Sequence, residues 1–107
     1  MVALGDSLTH GYGLPQEEGF VPQLDAWLDE HGAPEVEVVN AGVSGDTTAG
    51  GLSRFDWSVS EGADAMIVAL GGNDLLRGID PETSRANLDA ILDKADAMGL
   101  PVLLSGM

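Results

Sequence analysis

Residues 3–13 read ALGDSLTHGYG. An apolar start runs into Gly5, an acid and a serine, so Ser7 stands where a strand should end. A serine hydroxyl there is a nucleophile only if a base takes its proton and donors stabilise the oxyanion it makes at a carbonyl. His10 lies three residues on, and an i, i+3 pair shares one face of a helix. A base needs hydrogen-bond geometry to Oγ and an orienting partner as well. Proximity supplies neither, and His10 reads as a partly exposed loop histidine. Taken alone, Ser7 reads as a turn or N-cap serine.

Two later stretches change the weight of Ser7. Gly45 sits in GVSGDTT, where a residue without Cβ lets a backbone N–H approach a ligand closely. Asn73 follows Gly71-Gly72, and its side-chain amide can donate into a cleft. Each has a bland reading too, as a plain turn or a capping Asn. Together, one hydroxyl, one backbone donor and one amide donor amount to a nucleophile with the makings of an oxyanion hole.

The elements that must position them follow from the apolar pattern. Residues 1–4 form a short apolar strand. Phe20, Leu24, Trp27, Leu28 and His31 recur at helical spacing, closed by Gly32 and Pro34. His31 falls at the helix C-terminus, where the dipole favours a cation. Val36, Val38 and Val39 predict a second strand ending at Asn40. The loop over 40–51 leads into a short helix around 52–55. The run ADAMIVALGG is a buried parallel strand stopped by glycines. Asp80 as N-cap, Pro81 and Glu82 start a long helix with Leu88, Ile91, Leu92 and Ala95 on its apolar face. Gly99 and Pro101 end that helix, and residues 101–105 give a fourth strand. Strands alternating with helices predict an α/β fold, a flavodoxin-like three-layer parallel sheet of about four strands. The loops at 5–13, 40–51 and 71–78 all follow strands, so they meet at one sheet edge, where such folds bind ligands.

Composition narrows the partners. The chain has 107 residues, 4 Lys and Arg against 18 Asp and Glu, and a formal net charge of −14. That surface repels phosphate backbones, so nucleic acid is excluded as a partner. With no cysteine, disulfides and thiolate-bound metals are out. The apolar run over 65–70 is too short to span a bilayer. The expected location is cytoplasmic, or periplasmic or secreted where a leader has been removed.

GDSLTHGYG, NAGVSGDTTAGGLSR and VALGGNDLLRG, in that order, resemble the first three blocks of the SGNH (GDSL) hydrolases, in the arylesterase, thioesterase and lysophospholipase branch. The resemblance implies a serine esterase acting on carboxylic esters (aryl, thio or lysophospholipid) through an acyl-enzyme, with no cofactor and no metal. Ser7 would be the nucleophile. The Ser7 and Gly45 backbone N–H groups and the Asn73 side chain would form the oxyanion hole. Asp6 and Asp74 would support the loops rather than react. The family's fold has five strands, and its base comes from a later D-x-x-H block that these residues lack. Residues 1–107 are therefore expected to be the N-terminal portion of a single hydrolase domain, inactive alone, with the remaining part of the same protein as its partner. A non-catalytic interaction module of the same fold is the alternative. A phosphate-binding domain fails on its motifs. GDTTAG continues into Gly51-Leu52 instead of Lys-Ser/Thr, and GYGLPQ ends in Gln16.

Overall fold

The computed structural model describes residues 1–33, 36–59 and 63–105. Four parallel strands, β1 (Val2–Gly5), β2 (Val39–Gly42), β3 (Met66–Ala69) and β4 (Val102–Leu104), form one sheet in the order β2-β1-β3-β4. Among the described residues, α-helices connect or cap them. They are α1 (Ser7–His10), α2 (Phe20–Glu30), α3 (Thr48–Ser53), α4 (Phe55–Ser58), α5 (Gly72–Leu76) and α6 (Pro81–Ala97). The four-stranded α/β fold expected from the sequence is the one observed.

Period-two alternation divides the strands between two cores. Val2, Leu4, Met66 and Val68 pack with Phe55, Val59, Ile91 and Ala95 on one face. Ala3 packs with Val21 and Val38 on the other, against Leu24 and Leu28 of α2. Helices therefore cover both faces, giving three layers. The chain steps from β1 outward to β2, returns across β1 to β3, and continues to β4 on the far side. The direction of travel thus reverses between β1 and β3. That is the topological switch point, and the open crevice of a doubly wound sheet lies at the strand C-termini there.

Local expectations shift in places. β2 begins at Val39, so Val36 and Val38 precede the strand. Val38 is still buried, but against α2. The inward stripe of α2 is Val21, Leu24 and Leu28, while Phe20 and Trp27 are exposed. Trp27 stacks instead on His31, with ring centroids 3.9 Å apart. His31 caps α2, its Nδ1 2.7 Å from the Trp27 carbonyl, and Gly32 follows at φ 88°. Pro34 lies outside the described residues. Asp80 caps α6 as expected, accepting from the Glu82 N–H at 3.0 Å.

Candidate active site

Ser7 is positioned by its neighbours on both sides. Asp6 is buried and N-caps α1, its Oδ1 accepting from the Leu8 N–H at 3.0 Å. A helix start leaves its first N–H groups unpaired. The cap satisfies one of them and leaves the Ser7 N–H without an acceptor among the described residues. Thr9 is buried over Gly5, where a Cβ would collide with the threonine hydroxyl. Gly42, paired in register with Gly5, passes so close to α1 that a Cβ would strike the His10 backbone nitrogen. The half-buried Ser7 is thereby wedged onto the end of β1.

Gly5, Gly42 and Ala69 stand level at the C-terminal edge of the sheet. The loops carrying Ser7, Gly45 and Asn73 leave from that edge, as their strand context requires. Gly45 has φ 80°, a conformation open to glycine at little cost. Its carbonyl accepts from Arg77 Nη2 at 2.9 Å, and its N–H has no acceptor among the described residues. Asn73 Nδ2 donates to the Asp46 carbonyl at 2.9 Å. An amide nitrogen carries two protons, so this bond fixes the side chain and leaves one proton to donate.

Asp74, next to Asn73, is only 2% exposed. Its carboxylate accepts from the Thr48 N–H at 2.8 Å, the Thr48 hydroxyl at 2.5 Å and the Ser84 hydroxyl at 2.6 Å. Asn87 Nδ2 donates in turn to Thr48 Oγ1 at 3.1 Å. Burial raises the Asp74 pKa, but the hydrogen bonds from Ser84 and Thr48 outweigh it and hold the carboxyl below its ordinary value. Asp74 thus joins α5, α3 and α6 as a buried anion.

The His10 ring makes no hydrogen bond to Ser7 among the described residues, and His10 lines a separate recess with Pro22, Asp25 and Asn40. Leu75 and Leu76 of α5 are 71% and 83% exposed. They are surface residues, and Leu8 and Val43 are exposed as well. An apolar recess of about 400 Å³ lies between α5, α6 and the end of β4, lined by Leu75, Leu88, Leu92 and Leu104. Ser7 does not line it.

Residues 3–107 match the GDSL-like lipase/acylhydrolase family. The chain belongs to that family. It is 42% identical to the esterase TesA of Pseudomonas aeruginosa over the whole chain and 53% of that protein. It is 36% identical to the arylesterase of Vibrio mimicus, over 97% of the chain and 52% of the relative. Among solved structures, the SGNH-hydrolase family esterase AlinE4 superposes with a TM-score of 0.93 at 46% identity, covering 99% of this chain and 57% of that one. The chain spans about half the length of the curated relatives it matches.

Within this GDSL-like domain, sequence reasoning passed over Arg54, Asp46 and Thr48. Arg54 was legible as one of four cations among 18 acids, a charge that would not be withdrawn from water without partners. Thr48 gave no such signal, because a fully buried threonine hydroxyl looks in sequence like any helix-start threonine.

Proposed function

We propose that Ser7 is the nucleophile of a carboxylic ester hydrolase, with the Ser7 N–H, the Gly45 N–H and the Asn73 amide as its oxyanion hole. The observation that carries this reading is the meeting of three strand-end loops at the switch point. There the only described acceptor for the Asn73 amide is the carbonyl of Asp46, the residue next to Gly45. Ser7 Oγ adds to the substrate carbonyl carbon as its proton passes to a base, and the carbonyl oxygen becomes an oxyanion facing three donors. The carbon–oxygen or carbon–sulfur bond to the leaving group then breaks, and the proton returns to that group. Water repeats the sequence on the acyl-enzyme and releases the acid. We assign the base and its orienting carboxylate to the part of the relatives' length that residues 1–107 do not span, since no hydrogen bond joins the His10 ring to Ser7 among the described residues. Exposed Leu8, Leu75 and Leu76 offer an apolar rim to the acyl or aryl part of the substrate. Relatives named esterase and arylesterase favour esters of this kind.

Covalent trapping tests the assignment. A p-nitrophenyl phosphonate ester should release about one equivalent of p-nitrophenol from the gene-encoded protein. The phosphonyl mass should appear on the peptide that contains Ser7. Label on any other residue, with Ser7 unmodified, refutes it.

A further inference from the structure

We infer that Arg54 is the positioning residue that holds the oxyanion-hole loops in register, an inference that rests on the function proposed for Ser7, Gly45 and Asn73. Its side chain is largely withdrawn from solvent, with 20% exposure remaining. Nε donates to Asp46 Oδ2 at 2.7 Å. Nη1 donates to the Ala41 carbonyl at 2.8 Å and to Ser58 Oγ at 3.0 Å, and Nη2 to the Gly5 carbonyl at 2.9 Å. One planar group therefore ties the end of β1, just before Ser7, to the end of β2 and to the loop that follows it.

The third donor is reached through the same loop. Asp46 adjoins Gly45, and its carbonyl is the acceptor that fixes the Asn73 amide. Its carboxylate is pinned a second time by the Thr47 N–H at 3.0 Å. It also lies against Gly50, where a Cβ would collide with it. A shift of Asp46 would thus carry both Gly45 and Asn73 with it. The arrangement needs a fork of donors in fixed directions, which guanidinium has and an ammonium lacks. Arg54 does not touch the rim where substrate would sit. It acts through Asp46.

The test uses the gene-encoded protein, with short p-nitrophenyl esters and the variants Arg54→Lys, Arg54→Ala and Asn73→Ala. Because the hole acts on the transition state, Arg54→Ala should lower kcat by about 10²-fold with little change in KM. Arg54→Lys should lower kcat by at least about tenfold. Arg54→Ala combined with Asn73→Ala should lose less than the product of the two single losses, since part of what Arg54→Ala removes is the Asn73 donor itself. A nitrogen-15 NMR cross-peak for the Asn73 side-chain amide, slow to exchange in the native protein, should become averaged in Arg54→Lys. An Arg54→Lys protein with native kcat and an unchanged Asn73 cross-peak overturns the inference, whether or not Arg54→Ala folds. Losses that multiply in the double variant overturn it too. A native protein that hydrolyses no ester refutes the proposed function instead, and the Asn73 cross-peak then still decides the role of Arg54.

Discussion

At the scale of single residues, the two aspartates of the family blocks have different settings. Asp6 caps one turn, whereas Asp74 accepts three hydrogen bonds out of water. The Asp74 pKa is lowered in the fold, relative to about 3.9 in an unfolded chain. As pH falls, the unfolded chain takes up this proton first. The contribution is therefore complete above about pH 5 and is lost as pH falls through the folded pKa. Urea unfolding from pH 7 to pH 3 should show Asp74→Asn destabilised by about 1–3 kcal/mol at pH 7, and the gap should narrow in acid. A gap that widens in acid would contradict this. The residues proposed for the chemistry stood out in the sequence because they lie in glycine-containing loops after strands. Arg54 stood out only as a scarce cation and Thr48 not at all, since their roles depend on partners 49 and 26 residues away in sequence.

Among the elements, α1 decides where Ser7 points, and it is one turn long. Such a helix has no stability of its own. It is held by Asp6 at its start, Thr9 beneath it and β2 beside it. A Cβ on Gly42 would meet the His10 backbone, with no flexible side chain to absorb the clash. Gly42→Ala should therefore destabilise the protein by about 1–3 kcal/mol or more. Thermal unfolding checks this, and an unchanged midpoint would count against the wedge. The long elements were readable in advance. The β3 run and the caps of α6 are strong local signals, and both occur where expected. The displaced start of β2 has a tertiary cause. Val38 is apolar for the sake of α2, and its N–H donates to Asp25 Oδ1 at 3.3 Å instead of to a ladder. The exposed Trp27 could not be told from a core residue by periodicity, since it adjoins the buried stripe of α2.

For the whole molecule, charge and topology govern. A net charge of −14 over 107 residues repels itself in the compact state. Raising NaCl from about 0.05 to 0.5 M shortens the screening length severalfold, so the thermal midpoint should rise by a few degrees. A midpoint that falls with salt would show that attractive pairs such as Arg54–Asp46 outweigh the repulsion. The topology brings β1 and β3 side by side, pairing Leu4 with Val68 although more than half the chain runs between them. That pairing is what lets Ser7 and Asn73 share a rim. Everything proposed for this rim depends on Ser7 as the nucleophile. Its most direct test is p-nitrophenyl ester hydrolysis by the gene-encoded protein and by its Ser7→Ala variant, both confirmed to be folded. A nucleophilic Ser7 requires kcat to fall by at least about 10³-fold in the variant. A Ser7→Ala protein that keeps kcat within about tenfold of the native enzyme would contradict it.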